Sequence, residues 1–343
     1  MDNVQKFIGS ENLSVHEAMK KIDENSNGIL FLVNSKNVLV ACVSDGDIRR
    51  FLLSGGKIEE AVWKAANHNP KYAKDKQTAK SLYDKRNCIA IPILNDEGHI
   101  VDIYNGDGVR KKSSLGIPVV INAGGKGTRL DPFTRVLPKP LIPVGELPII
   151  ELIMKEYQSY NCTDFHIIVN YKRELIKAYF LDSEYNITWY DEEKPLGTGG
   201  GLSLLRGKLN GTFFFANCDA LLTANYASML RFHKERQNAI TMICSHKQVN
   251  IPYGVVKMGL NGTFEGIKEK PLISLLTNTG IYLVEPEVIN DVENEEVLGF
   301  PDIVEREKKL GRKVGVFPVS ENDWMDMGQI PELEKMRRKL YGD

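Results

Sequence analysis

A short apolar strand, Pro118-Val119-Val120-Ile121-Asn122-Ala123, runs straight into Gly124-Gly125-Lys126-Gly127-Thr128-Arg129-Leu130, and Pro138-Lys139-Pro140-Leu141 follows. Glycines at such a point allow positive φ at little cost and let backbone N–H groups close on a polyphosphate, because no Cβ stands in the way. Arg129 and Lys139 add positive charge to the same stretch. After it, strand-like and helix-like segments alternate: Phe165–Val169, a helix from about Arg173 to Leu181, Asn186–Tyr190, a helix near Leu202–Leu205 and Phe213–Ala216. Alternation with short connections predicts an α/β sheet covered on both faces. Ligands bind such sheets beyond the carboxyl ends of the strands, where this glycine loop falls.

Two common phosphate loops are excluded letter by letter. A P-loop needs Gly-Lys-Ser/Thr at its end, but Gly127 follows Lys126. A dinucleotide fingerprint needs a third glycine where Leu130 stands. Residues 124 to 144 instead resemble the sugar-1-phosphate nucleotidyltransferase (nucleotide-sugar pyrophosphorylase) signature, G-G-x-G-T-R-L-x-P-x-T, a spacer, then P-K-P-L-x-P-V, and every fixed letter is present. A mere glycine turn with solvated basic residues is the alternative, and the full string argues against it. The resemblance implies a Rossmann-like domain with a mixed, mostly parallel sheet. It implies catalytic roles for Arg129, on the departing pyrophosphate, and Lys139, on phosphate oxygens. Ala123, Gly124, Gly125, Gly127 and Thr128 would wrap the triphosphate.

Nucleotidyl transfer sends a sugar phosphate oxygen onto the α-phosphorus of a nucleoside triphosphate, and both reactants are anions. Such a site needs a divalent metal, cations on the leaving group and in-line positioning more than an acid or base. Magnesium prefers one or two carboxylates plus phosphate oxygens. Asp219, in Asn217-Cys218-Asp219 after the strand Phe213–Ala216, and Asp326, in Trp324-Met325-Asp326-Met327-Gly328, match the family's metal-binding N-x-D and W-x-D-x-G. Asp326 could instead cap the helix expected from about Pro331 to Leu340. Pro195-Leu196-Gly197-Thr198-Gly199-Gly200-Gly201-Leu202 is similar to the family's P-L-G-T-x-G-x-L, in which main-chain groups read the nucleobase. There the absence of a Cβ at the glycines would admit the base to main-chain groups of Gly197, Thr198 and Gly199. Three further pieces resemble sugar-phosphate contacts: Tyr253-Gly254-Val255-Val256, Glu269-Lys270-Pro271 and Asn278-Thr279-Gly280. By position Glu269 takes sugar hydroxyls, Lys270 the sugar's phosphate, Asn278 lies alongside, and Gly254 and Gly280 allow close approach.

The first third reads differently. At 343 residues two domains are expected, and the basic, small-residue stretch Gly108–Ile117 reads as the seam between them. Boundaries follow at 1–108, a linker over 109–117, and 118–343. Before the seam a weak repeat appears. A helix from Ser14–Met19, strands Ile29–Val33 and Val38–Val43 and a helix from Asp45 make one copy, while Thr78–Leu82, Ala90–Leu94, His99–Ile103 and Asn105-Gly106-Asp107 make a second. The repeat resembles a pair of cystathionine-β-synthase-type (CBS) modules, smaller α/β units that often bind adenine nucleotides and associate face to face. That family's Ser/Thr-x-x-Asp turn is present as Ser44 and Asp47, where the carboxylate would hold ribose hydroxyls. In the second copy Tyr104 replaces the Ser/Thr before Asp107. A regulatory nucleotide at Ser44 and Asp47 and homo-oligomerisation are the implied partners of this half; a domain that only packs is the alternative.

Net charge is -1 at pH 7, so no large positive field gathers nucleic acid or an anionic bilayer. Apolar runs are far shorter than a membrane span, and Met1–Gln5 lacks signal-peptide character, which places the protein in the cytoplasm. Five scattered cysteines, without C-x-x-C, read as small buried hydrophobes rather than zinc ligands or disulfides. No hexapeptide repeat follows the α/β region. A CBS fusion looks most similar to sugar-phosphate guanylyltransferases of bacterial legionaminic acid pathways, which implies GTP with glucosamine 1-phosphate or a relative. Mannose, heptose or glucose 1-phosphate with GTP, UTP, dTTP or CTP remain alternatives. A non-catalytic nucleotide-sensing subunit is the alternative of another class, and such proteins lose the Arg or Asp residues retained here.

Overall fold

A computed structural model of the chain describes residues 2–25, 27–86, 88–106 and 113–342. It divides into two compact units, Met1–Lys111 and Lys112–Asp343. Asp107 and the first part of the expected linker lie outside the described residues.

In the first unit α1 (Asp2–Gln5) leads to β1 (Ile8–Ser10), α2 (Val15–Asn25), β2 (Ile29–Val33), β3 (Leu39–Ser44) and α3 (Asp45–Leu53). Then come α4 (Lys76–Arg86), β4 (Ile91–Leu94) and β5 (Ile100–Tyr104). The strands form a three-stranded sheet, β1-β2-β3, and a separate β4-β5 pair. A cluster of Phe7, Ile29, Phe31, Cys42 and Ala90 draws side chains from both copies of the repeat. Ser44 caps α3: its hydroxyl accepts from the Asp47 N–H, and the Asp47 carboxylate accepts from the Ser44 N–H and Oγ. The Asp47 carboxylate also pairs with Arg50. The carboxylate expected to meet a ribose is thus engaged in a capping box, a local requirement of the helix start.

The second unit opens with β6 (Val119–Asn122), α5 (Phe133–Val136) and a small hairpin of β7 (Pro143–Val144) with β8 (Leu147–Pro148). It continues through α6 (Ile149–Gln158), β9 (Asp164–Val169), α7 (Arg173–Tyr179), β10 (Asn186–Asp191) and β11 (Phe213–Asn217). Next come β12 (Ala220–Leu222), α8 (Tyr226–Arg236), β13 (Ile240–Asn250), β14 (Val255–Met258), β15 (Phe264–Lys268) and β16 (Leu272–Val284). The unit finishes with α9 (Glu287–Asn290), α10 (Phe300–Lys309), β17 (Val314–Val319), β18 (Trp324–Asp326) and α11 (Ile330–Tyr341).

Seven strands pair in the order β10-β9-β6-β11-β16-β13-β17, and only β16 runs against the rest. The sheet is therefore mixed and mostly parallel, and its central strands are apolar on both faces, as burial under helices demands. Alternate residues of one strand serve opposite cores. Val119 and Ile121 join α6, α8 and α11 on one face, while Val120 joins α9 and α10 on the other. Helix α6 supplies Ile149, Ile150, Ile153, Met154 and Tyr157, all buried, at the spacing of a single helical stripe. Phe213, Phe214 and Phe215 are fully buried, and at about 2–3 kcal/mol per side chain they anchor the strand that leads to Asp219. The segment expected as a helix near Leu202 is a 3₁₀ turn, Gly200–Leu205, since two glycines at its start weaken an α-helix.

Four cysteines are buried as expected, but Cys88 is partly exposed, because it sits just beyond the end of α4 rather than inside a strand. Among the described residues no helix is long and apolar enough to cross a membrane.

Candidate active site

Two parallel neighbours, β6 and β11, end side by side with Asn122 opposite Asn217. The chain leaves β6 through the first glycine loop and leaves β11 through Cys218 and Asp219, and the Cys218 N–H still donates to the Asn122 carbonyl at 3.2 Å. Both loops therefore emerge on the carboxyl edge of the sheet, at one point. The Asn122 side chain ties in a third segment by donating to the carbonyls of Gly197 at 3.3 Å and Thr198 at 3.2 Å. Its oxygen accepts from the Gly124 N–H.

Asp219 and Asp326 are brought together by a two-stranded ladder that the sequence does not announce. β12 pairs antiparallel with β18, placing Ala220 opposite Asp326, and the Met327 N–H donates to the Asp219 carbonyl at 2.9 Å. Asp326 is a strand residue, and Gln329 is the residue that precedes α11, so the capping alternative is set aside. Burial, followed by the neighbouring Asp219 charge, pushes the Asp326 carboxyl above its ordinary range, while Lys139, the Gly328 N–H and Arg129 pull it back. A carboxylate whose proton affinity is raised by a second carboxylate beside it marks a place that favours a cation. Lys139 forms an ion pair with Asp219, both side chains largely shielded from water. Arg129 is exposed on the loop and close enough to act on Asp326.

The first loop is open on its outer side. A Cβ at Gly125 would meet nothing within 4 Å. Its far end is held by Lys172, a residue sequence reasoning missed, whose ammonium takes the carbonyls of Thr134, Arg135 and Val136. Lys172 has φ 52, a left-handed conformation that no local motif signals.

The second loop is tightly built in, and its glycines meet a demand of the fold that the motif does not announce. Gly197 has φ +83, and a Cβ on it would lie 2.6 Å from the Leu298 carbonyl; at Gly200 it would lie 2.1 Å from the Glu296 carbonyl. The Gly199 N–H donates to the Leu298 carbonyl and the Phe300 N–H to the Thr198 hydroxyl, both at 2.9 Å. These glycines make room for the protein's own backbone.

Between the loops lies Glu192, also missed. It is 3 % exposed, and its two oxygens sit 2.8 Å and 2.6 Å from where Cβ atoms of Gly124 and Gly201 would be. One of them, Oε1, has no hydrogen-bond partner among the described residues. Burial raises its carboxyl to about 7, against a smaller opposing effect from the Leu196 N–H.

The expected sugar-phosphate residues are less gathered. Asn278 is committed internally: its amide donates to Tyr282 Oη and its oxygen accepts from the Gly280 N–H. Gly280, at φ +77, gives its Cβ space to the Asn217 amide. Gly254 does the same for Glu269, whose Oε1 lies 2.7 Å from the missing Cβ. Glu269 and Lys270 are exposed, beyond the end of β15.

Among known proteins, the chain is 33% identical over 232 residues to a mannose-1-phosphate guanyltransferase of Schizosaccharomyces pombe, a match covering 61% of this chain and 60% of that protein. It is 31% identical over 225 residues to the mannose-1-phosphate guanyltransferase of Saccharomyces cerevisiae, covering 61% of each. The chain thus spans about three fifths of the length of these curated relatives. Of solved structures, HddC from Yersinia pseudotuberculosis superposes with a TM-score of 0.52 at 20% identity, over 65% of this chain and 99% of that one. The inositol-1-phosphate CTP transferase of T. maritima gives 0.51 at 16%, over 67% and 98%. Both show the fold alone. The sequence model of the nucleotidyl transferase family matches residues 118–341, and with that match spanning most of its length the chain belongs to this family.

Proposed function

We propose that the protein transfers a nucleoside monophosphate from GTP to a sugar 1-phosphate, releasing pyrophosphate and forming a nucleotide-sugar in the cytoplasm. The observation that carries this reading is the meeting of Asp219, Asp326, Lys139 and Arg129 on one edge of the sheet, beside both glycine loops. Asp219 and Asp326 would hold Mg²⁺, since paired carboxylates with room for phosphate oxygens are its usual protein ligands. When bound, the ion would neutralise charge on the triphosphate. The N–H groups of Gly125, Gly127 and Thr128 then face phosphate oxygens, while that of Gly124 stays with Asn122; Arg129 and Lys139 take charge as pyrophosphate departs, and Glu269 and Lys270 orient the sugar phosphate.

Guanine is favoured by Glu192. The guanine Watson–Crick edge offers two adjacent N–H donors, which the buried, unused Glu192 oxygen between the loops would meet, in its ionised form, once the loops part to expose it. The names of the curated relatives agree with that base and favour mannose 1-phosphate as the acceptor, while the likeness to CBS-fused enzymes of legionaminic acid pathways favours glucosamine 1-phosphate. The first unit would then be a CBS pair that binds a regulatory nucleotide at Ser44 and Asp47, at the cost of rearranging the capping box there.

Pyrophosphate release, measured across GTP, UTP, dTTP and CTP against mannose, glucosamine, N-acetylglucosamine and glucose 1-phosphates with Mg²⁺, tests the proposal. GTP with one of the first two should lead by at least tenfold, and silence across the panel would sink it. Repeating the leading pair with AMP or ATP added tests the regulatory part.

A further inference from the structure

Strands β6 and β9 are parallel neighbours, so the chain leaving β9 comes out beside the first glycine loop. Tyr171 and Lys172, between β9 and α7, hold that loop at both ends. At its start the Tyr171 N–H donates to the Gly124 carbonyl at 3.4 Å. Past its other end comes α5, a single turn in which only Thr134 is buried, and so short a helix does not stand alone in water. The Lys172 ammonium supplies the hold that packing does not. It donates to the carbonyls of Thr134 at 3.3 Å, Arg135 at 2.5 Å and Val136 at 2.9 Å, as a lysine does at a helix end. The Tyr171 hydroxyl donates to the Thr134 carbonyl as well, at 3.3 Å, and the ammonium lies 5.3 Å from the centre of the Tyr171 ring.

What this grip fixes is Lys139. Val136 stands three residues before it, with Pro138, whose φ is locked, in between. The Thr134 hydroxyl donates to the Gly127 carbonyl at 3.2 Å, and a Cβ at Gly127 would lie 2.9 Å from Thr134 Cγ2 and 3.0 Å from Lys139 Cβ. The end of α5, the glycine turn and Lys139 are thus packed as one piece, which delivers the Lys139 ammonium to Asp219. An ammonium has three N–H donors and no more. All three of those on Lys172 are taken by carbonyls, so none is left for a phosphate although the residue stands beside the loop. We propose that Lys172 is a positioning residue for the transfer: it does not meet substrate, and it fixes where Lys139 stands as pyrophosphate departs. This role rests on the function proposed above. A cation stabilises charge developing on a leaving group only if it is already in place, and a shift of about 1 Å in such a group can cost on the order of 10²-fold in rate. The loop N–H groups still bind the ground-state triphosphate, so the loss falls on kcat and not on KM.

The test uses the full chain with Lys172→Met, which keeps the length of the side chain and removes the ammonium. Limited trypsin digestion read by mass spectrometry reports the hold without any turnover: cleavage after Arg135 should be about tenfold faster than in the wild type, with the rest of the map unchanged. Pyrophosphate release with the leading substrate pair should show kcat down about 10- to 100-fold and KM for both substrates within about threefold of the wild type. Lys172→Arg, which keeps a cation near the carbonyls but spreads its donors in a plane, should recover part of kcat. A cleavage rate after Arg135, or a kcat, within about threefold of the wild type overturns the proposal. So does a loss confined to KM, which would put Lys172 on a substrate phosphate. Should Lys172→Met fail to fold, Thr134→Val decides, because it cuts the bond to the Gly127 carbonyl and leaves the grip intact. Its kcat should then fall about fivefold with KM unchanged, and an unchanged kcat refutes the role. A wild type silent across the substrate panel would sink the proposed function and the role of Lys172 with it, whereas an active wild type with an indifferent Lys172→Met sinks the role alone.

Discussion

The two glycine loops meet at Asn122, yet they are built on opposite terms. The second, from Leu196 to Gly201, is locked to the segment around Leu298 by backbone hydrogen bonds, and its glycines would clash with carbonyls if they carried side chains. The first, from Gly124 to Arg129, leaves Gly125 with nothing near it and Arg129 in solvent. One loop is part of the core's closure; the other has its contacts still to make. The difference predicts that substitutions on the open side cost turnover while those on the braced side cost stability.

The largest effect should come from Asp219→Asn, which removes the charge that pairs with Lys139 and presses on Asp326. Turnover with Mg²⁺ should fall about 10³-fold, and Arg129→Ala should cost about 10², near 3 kcal/mol of transition-state stabilisation. Arg129→Ala should leave the melting temperature unchanged, because Arg129 is exposed, and Asp219→Asn should lower it only modestly, since the lost pairing of the shielded Lys139 is partly offset by relief of repulsion on Asp326. Steady-state pyrophosphate release beside a thermal melt checks both halves. A variant that loses stability in step with activity would erase the distinction between the loops.

Glu192 sits on the seam between them, so its response should show both kinds of cost. Burial holds its proton up to about pH 7 in the folded chain, against an ordinary value of 4.5. Between those two pH values the folded state binds the proton that the unfolded state releases, so stability falls as pH rises through that window and levels off above it. The span is worth at most about 3 kcal/mol. Glu192→Gln should remove that slope, read from urea melts at pH 5, 6, 7 and 8. It should also lower kcat/KM for GTP about 10- to 100-fold, since an amide N–H would then oppose a guanine N–H. An unchanged pH slope would show that the carboxylate is relieved by a contact outside the described residues.

Much of this site was legible because its parts are local. A strand running into glycines, an Asp just beyond Phe213–Ala216 and a basic loop can each be read within a dozen residues, and β6, β9, β10 and β11 fall where the pattern places them. The motifs that name Asp219 and Asp326 are equally local. What joins them is the β12·β18 ladder, a pairing of two three-residue strands from distant parts of the chain, too short to carry a periodicity. Lys172 and Glu192 were hidden for a related reason. The first acts through a left-handed backbone and the second through burial under two loops, and neither leaves a spacing to find. The second loop's glycines have a further reason that the motif could not show, because the segment that crowds them, 296–300, comes a hundred residues later.

The smallest effects separate the loops most cleanly. Gly200→Ala forces a Cβ against the Glu296 carbonyl and should cost about 2 kcal/mol of stability, the usual price of overpacking, in a denaturant melt. Gly125→Ala meets no atom and needs no positive φ, so it should stabilise the fold by about 0.5 kcal/mol through a stiffer unfolded chain. That same methyl group would stand where the triphosphate must approach the backbone. KM for GTP should therefore rise several-fold even as the melting temperature edges upward. Opposite signs in one variant would show that this glycine is kept for the ligand and not for the fold, whereas an unchanged KM would mean the phosphates pass the loop elsewhere.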